Sequence, residues 1–167
     1  MPRKIRGMND IDLALVVTVL AIVGAGLNGG IYFTFSTFTM GALRRLPREQ
    51  AATAMQAVNV EAVRPAFMSV FFGTAVLAVA LYVLAVAGFE GTRSVLMISG
   101  ASLYLASIVI TVVFNVPLND RLAAVVPATP SGVATWDEYQ RRWTRGNHLR
   151  VAVCVASVVV LAASLLG

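Results

Sequence analysis

Four long stretches of the chain carry no charged side chain: residues 13–43, 65–89, 94–119 and 151–167. The hydrocarbon core of a bilayer is about 30 Å thick, and a helix needs about 20 apolar residues to cross it. Three stretches exceed that length, and the fourth reaches it if its helix begins near Asn147. The pattern predicts an all-α integral membrane four-helix bundle, with spans at about 11–43, 65–89, 94–116 and 147–166.

The composition supports a single membrane domain over residues 1–167. Hydrophobic residues make up 58% of the chain and charged residues only 13%. The net charge of +5 does not indicate nucleic-acid binding, because every Lys and Arg lies in or beside a loop. The predicted partner is therefore the lipid bilayer. The single cysteine, Cys154, is expected to be a small packing residue.

The arginines also predict an orientation. The connections after the first and third spans hold more of them than the N-terminus and the connection between spans two and three. The positive-inside rule then places loops one and three in the cytoplasm. The spans are expected to lie in the plasma membrane. Arg3, Lys4 and Arg6 at the N-terminus favour the opposite orientation.

Further helices are expected outside the spans. Pro47 marks the start of a short amphipathic helix after span one. Pro117 disfavours helix at Val116 and is expected to end the third span there. The capping-box pattern 135–138 predicts a helical extension that starts at Thr135 and leads into span four, with 127–132 as a loop.

The first span is rich in glycine. Gly26 and Gly30 form a GxxxG pattern, which allows a helix to approach closely. The partner could be another helix of the chain or a second copy in a homo-oligomer. Asn28 lies near the middle of this span and needs a hydrogen-bond partner, from packing or from a ligand.

Polar residues gather at one end of the predicted bundle. Side chains of this kind are costly at membrane depth and usually face one another or a cavity. We therefore expect a pocket between the helices at that end. The residues are Gln56 and Asn59 after span one, Asn115, Asn119 and Arg121 after span three, and Tyr139, Trp143, Asn147, His148 and Arg150 before span four.

Two structural roles are alternatives to a pocket for these residues. Trp136, Tyr139 and Trp143 could form an aromatic belt at the membrane interface. Asn115 and Asn119 could cap the carbonyls at the end of the third span.

The residue types point to acid–base and hydrogen-bonding chemistry. His148 could act as a general base near neutral pH. Asn115, Asn119 and Asn147 could orient a phenol or stabilise an oxyanion. With one histidine and one cysteine in the chain, the sequence predicts no metal site and no cofactor.

Several segments together resemble the anthrone-oxygenase-like family of small four-span membrane proteins. They are Gly30-Ile31-Tyr32-Phe33, 42–47, 54–59, Asn115-Val116-Pro117-Leu118-Asn119, Trp136-x-x-Tyr139-x-x-x-Trp143 and Asn147-His148-Leu149-Arg150. The resemblance implies oxidation of an anthrone- or phenol-like apolar aromatic by dioxygen. It also implies a pocket built on Asn115, Asn119, Trp143, Asn147, His148 and Arg150.

Other functions are compatible with the same residues. A non-catalytic membrane protein could bind a lipid or a quinone-like molecule, or support a partner complex. A transporter is disfavoured, because the spans hold no acidic residue and no internal repeat.

Overall fold

A computed structural model describes residues 8–166. Seven α-helices account for most of this range, and two π-helical segments join helices end to end. Phe35–Thr39 joins α1 to α2, and Thr111–Asn115 joins α5 to α6. The helices are α1 Met8–Thr34, α2 Met40–Leu43, α3 Arg48–Ala62, α4 Pro65–Gly88, α5 Gly91–Ile110, α6 Val116–Ala123 and α7 Pro130–Ala163. The N-terminal basic residues Arg3, Lys4 and Arg6 lie outside the described residues.

The predicted four-span architecture is confirmed. Four helical stretches are long and apolar enough to cross a membrane: Leu13–Leu43, Pro65–Gly88, Gly91–Ala123 and Pro130–Ala163. α7 packs against α1 and α5, and α4 packs against the same two helices on the other side. Large apolar side chains such as Val76, Val86 and Val159 are exposed, as expected of a surface that faces lipid.

Two hydrophobic cores follow one another along the bundle axis. The first joins the spans and contains small residues together with Leu81, Met97 and Tyr104. The second lies at the end formed by loops one and three, where α3 and α6 pack on the N-terminal half of α7. Trp136 and Tyr139 are buried in this second core. Because the second core closes one end of the bundle, we call α3, α6 and the N-terminal half of α7 the cap.

The fourth helix begins earlier than predicted. Thr129 is its N-cap, and the Thr129 Oγ1 accepts a hydrogen bond from the Gly132 N–H at 3.1 Å. Pro130 occupies the first turn, where proline is favoured. The expected start at Thr135 is therefore wrong, because a cap lies upstream. The expected loop over 127–132 is confirmed for residues 127–129 and wrong for 130–132, which are helical.

The third helix also continues beyond its predicted end. The chain passes through Pro117 without leaving the helical path and reaches Ala123. In the π-helical segment before the proline, the Val116 N–H donates to the Thr111 carbonyl five residues back. Pro117 then lies in the first turn of α6, where a missing N–H costs no hydrogen bond.

Candidate functional site

A group of buried and half-buried polar side chains lies between the two cores, where α1, α5 and α7 meet. Both π-helical segments contribute to it, and π-helical turns are frequent at functional sites. We call this group the polar cluster. It consists of Tyr32, Ser36, Thr111, Asn115, Trp143, Asn147 and Arg150.

Arg150 is the charged member of the polar cluster. Its side chain is held inside the bundle, and only 5% of the residue is exposed. The Nη2 donates to the Asn147 Oδ1 at 2.7 Å, and the Nη1 lies 3.4 Å from the Thr111 Oγ1. The guanidinium also faces two aromatic rings, with its Cζ 4.3 Å from the Tyr32 centroid and 5.0 Å from the Trp143 centroid.

No carboxylate within residues 8–166 balances this charge. Among residues 8–166, the ion pairs all lie on partly or largely exposed side chains elsewhere: Arg48–Asp137, Arg64–Glu61, Arg121–Glu138 and Arg142–Glu138. An arginine remains protonated under all ordinary conditions. A buried, unpaired cation costs several kcal/mol of desolvation free energy. An anion bound beside Arg150 would offset that cost.

Several cluster atoms have no hydrogen-bond partner in the protein. They include the Nε of Arg150 and the indole Nε1 of Trp143, which are both donors. The Tyr32 hydroxyl lies near Arg150 and Thr111 without a well-formed hydrogen bond. Buried polar groups normally are paired. These donors can therefore bind an oxygen atom that the protein itself does not supply.

Asn147 ties the polar cluster to the first span. Its Nδ2 donates to the Tyr32 carbonyl at 2.6 Å and to the Ser36 Oγ at 2.7 Å. Its Oδ1 accepts from Arg150, so both ends of the amide are used. Asn147 therefore fixes the guanidinium against α1.

The aromatic stripe of α7 is a stack inside the cap. The Trp136 and Tyr139 rings lie 5.7 Å apart, the Tyr139 and Trp143 rings 6.0 Å, and the Trp143 and Phe35 rings 5.6 Å. Trp136 and Tyr139 are each only 1% exposed. Burial to this extent does not fit an interfacial belt, and the stack instead ends at Arg150.

Asn115 and Asn119 connect helices and do not cap their own. The Asn115 Nδ2 donates to the Trp143 carbonyl at 3.2 Å, across to α7. The Asn119 Oδ1 accepts from the Tyr139 hydroxyl at 2.9 Å. The expectation that they cap the third span is therefore wrong for both side chains, although Asn115 does belong to the polar cluster.

Gln56 and Asn59, the two residues of α3 that were predicted to belong to the site, make their contacts within the cap. The Gln56 Nε2 donates to the carbonyls of Leu122 and Val125 at 2.8 and 3.0 Å, and so caps the end of α6. Asn59 lies beside the Tyr139 side chain. Asn59 therefore lies next to the aromatic stack and Gln56 at the end of α6, and neither makes a hydrogen bond to Arg150.

His148 does not join the polar cluster. It is exposed on α7, whereas Asn147 and Arg150 on the same turn are buried. Successive helical residues are rotated by about 100°, so the neighbour of an inward-facing residue points to the outside. The expectation that His148 works as a base inside the pocket is not supported by this geometry.

Three members of the polar cluster were not predicted as site residues: Tyr32, Ser36 and Thr111. Asn28, Tyr32 and Ser36 are spaced by four residues and so share one face of a helix. A polar stripe of this kind inside a charge-free span is a detectable signal. Thr111 carries no comparable signal, because isolated threonines are common in spans. Asn28 itself is buried, and its Nδ2 donates to the Gly24 carbonyl.

A family model described as anthrone oxygenase matches residues 66–160, which is more than half of the chain. The chain belongs to the anthrone oxygenase family. The matched region contains α5, α6 and most of α7, and hence the part of the polar cluster from Thr111 to Arg150. The family match begins after Tyr32 and Ser36, which come from the first span. Searches of curated proteins and of solved structures find no match.

Proposed function

We propose that the protein binds an apolar aromatic molecule with one acidic oxygen, such as an anthrone or a phenol, and promotes its oxidation by dioxygen. The observation that carries this proposal is Arg150, a buried cation without a carboxylate partner in the described chain, which lies between the rings of Tyr32 and Trp143. An aromatic oxyanion matches both features. Membership of the anthrone oxygenase family supports the same class of substrate.

The chemistry needs an anion and dioxygen. Loss of a proton from the CH₂ of an anthrone gives an enolate whose negative charge lies largely on oxygen. A fixed guanidinium in a water-poor site stabilises that charge. The enolate then transfers one electron to dioxygen, and the resulting carbon radical and superoxide combine to form a C–O bond. Protonation of this peroxide gives a hydroperoxide. Loss of water leaves the ketone, so that CH₂ and O₂ become C=O and H₂O.

The cluster residues have distinct roles in this proposal. Arg150 donates to the oxyanion, and the free indole N–H of Trp143 is available as a second donor. Asn147 holds the guanidinium in position. Asn115, Asn119, Tyr139, Gln56 and Asn59 support the site from the cap. Since His148 points outward, the protein acts by stabilising the anion, and the proton leaves to solvent.

A non-catalytic function is the second candidate. The observation in its favour is that the polar cluster holds neither a carboxylate nor an imidazole, so anion binding alone accounts for its composition. The ligand would then be an acidic lipid or a quinone-like molecule that is bound and not converted.

Dioxygen uptake separates the two candidates. Protein in nanodiscs is mixed with 9-anthrone, and oxygen consumption and anthraquinone formation are followed against empty nanodiscs. We expect acceleration by the wild type, a loss of about 100-fold or more in Arg150→Gln, and wild-type rates in Arg145→Gln. Arg145 is the matched control because it is an exposed arginine on the same helix.

Two results of this assay would count against oxidation as the function. Equal rates for Arg150→Gln and wild type, with both proteins folded, would contradict the proposal. Arg150-dependent binding of the anthrone without any oxygen uptake would favour the non-catalytic candidate.

We also propose that loops one and three face the cytoplasm. The exposed arginines of the cap support this orientation, among them Arg44, Arg45, Arg141 and Arg145. Cysteines introduced at Arg45 and Glu90 should react in opposite compartments with a membrane-impermeant maleimide, with Glu90 labelled from outside intact cells. Labelling of the cysteine at position 45 from outside intact cells would contradict this orientation.

A further inference from the structure

The guanidinium of Arg150 has more hydrogen-bond donors than the described chain can satisfy. A guanidinium carries five N–H donors and no acceptor. Within residues 8–166, the Asn147 Oδ1 and the Thr111 Oγ1 accept from its two terminal nitrogens. The Nε–H of Arg150 is buried and meets no acceptor there. The positive charge therefore comes with at least one donor that needs a further partner.

Two neighbouring side chains add further free donors. Tyr32 is only 3% exposed and Trp143 only 5%, and neither the Tyr32 hydroxyl nor the Trp143 indole N–H has a hydrogen-bond partner among the described residues. Both rings lie against the guanidinium, and the Tyr32 hydroxyl lies near it. Three different side chains thus offer unpaired donors around one buried positive charge.

This combination favours an anion over a neutral partner. Burial of an unpaired cation is costly, and a full negative charge offsets that cost more than a water molecule does. The unpaired Asn115 Oδ1 is also a neutral acceptor and does not balance the charge. A small monovalent anion such as chloride can accept from several N–H and O–H groups at once. It also loses its hydration at a lower cost than a divalent anion such as sulfate, because the solvation energy rises with the square of the charge.

We infer that the polar cluster binds a chloride ion, held by the Arg150 Nε–H, the Trp143 indole N–H and the Tyr32 hydroxyl. The ion takes the place of the aromatic oxyanion of the proposed function, so chloride and that ligand exclude each other. Chloride binding itself goes beyond the proposed function, and only the competition rests on it. Chloride is then an inhibitor that an aromatic oxyanion must displace.

A chloride titration tests the inference. Protein in nanodiscs of uncharged lipid is titrated with sodium chloride, while sodium gluconate keeps the ionic strength and hence the screening of surface charges constant. The thermal midpoint is followed, because a ligand that binds only the folded state raises it. The line width of the chloride NMR signal is followed in parallel, because exchange with a site on a large particle broadens it.

We expect both signals to respond to chloride in the wild type and in Arg145→Gln, which removes an exposed arginine of the same helix. Neither signal should respond in Arg150→Gln. The dependence on chloride is compared and not the midpoint itself, because the substitution changes stability in its own right. Sodium sulfate in place of sodium chloride should leave the wild-type midpoint unchanged.

Two milder variants keep the charge and the rings. Trp143→Phe and Tyr32→Phe each remove one donor, and each should raise the chloride concentration for half-saturation by about tenfold, because one hydrogen bond to a charged group is lost. Tyr82→Phe is the matched control, because the Tyr82 hydroxyl is hydrogen-bonded to Ser102 outside the polar cluster. These variants also test the inference if Arg150→Gln does not fold, since unchanged half-saturation in both would overturn it.

Competition is measured with 2-hydroxyanthraquinone, a planar aromatic with one acidic phenol. Its apparent dissociation constant for the wild type should rise in proportion to chloride once the site is saturated with the ion. If this probe binds in an Arg150-dependent way and chloride changes neither its binding nor the midpoint, the chloride inference is wrong and the proposed function stands. If chloride binds in an Arg150-dependent way and the probe does not bind, the inference stands and the proposed function is wrong. An equal response to chloride in Arg150→Gln and wild type would place the ion elsewhere and overturn the inference.

Discussion

Replacing Arg150 by glutamine removes the buried positive charge of the polar cluster and leaves a hydrogen-bond donor near the same place. In the wild type, an oxyanion bound to this guanidinium should be strongly favoured over the neutral acid. The bound acid should therefore ionise at lower pH than the free acid, because an opposite charge stabilises the ionised form.

The size of this effect follows from the geometry. A ligand oxygen that accepts a hydrogen bond from a guanidinium nitrogen of Arg150 lies about 3 Å from that nitrogen, and hence about 4 Å from the Cζ at the centre of the charge. At an effective dielectric constant of about 20, that distance corresponds to about 4 kcal/mol. One pH unit corresponds to about 1.36 kcal/mol, which makes three units the upper limit and one to three units the expected shift.

The assay is an absorption titration of 2-hydroxyanthraquinone, whose spectrum changes when the phenol ionises. The probe is titrated with wild-type nanodiscs, with Arg150→Gln and with Arg145→Gln. We expect a shift of about one to three units to lower pH for the wild type and for Arg145→Gln, and none for Arg150→Gln. An undiminished shift in Arg150→Gln would refute the reasoning, because the charge would then act from elsewhere.

Three further predictions concern individual side chains. Asn147→Asp replaces the amide oxygen that lies 2.7 Å from the Arg150 Nη2 with a carboxylate oxygen. This internal counter-ion should weaken binding of 2-hydroxyanthraquinone by about 100-fold in an equilibrium titration. His148→Ala should change the same binding constant by no more than about twofold, because the side chain is exposed, and a larger loss would restore it to the site. Gly24→Ala should lower the free energy of unfolding by about 1–3 kcal/mol through its collision with Thr74, measured as a loss of thermal midpoint.

The spans could be predicted because hydrophobicity is summed over many residues, so single exceptions do not matter. The inward face of α7 could also be predicted, since a period of about 100° per residue aligns Trp136, Tyr139, Trp143, Asn147 and Arg150. All five of these residues are buried.

Helix ends and bends were harder, because they depend on local competition. Two capping patterns precede α7, and the upstream pattern at Thr129 prevails. The π-helical segments before α2 and α6 contact α7, and no local sequence pattern predicts them. They were therefore not predicted, although they place Ser36, Thr111 and Asn115 in the site.

Only one part of the electrostatics of the site could be predicted from the sequence. The sequence shows that the charge-free stretches supply no carboxylate. It does not show that Arg150 is buried and stacked between the rings of Tyr32 and Trp143, because Tyr32 lies more than a hundred residues away.

A structure of the protein with bound 2-hydroxyanthraquinone would test the central claim most directly. We expect the phenolate oxygen within hydrogen-bond distance of Arg150 and the ring system of the probe beside the rings of Tyr32 and Trp143. A structure in which Arg150 pairs with a carboxylate of the chain, while the probe lies elsewhere, would contradict the account.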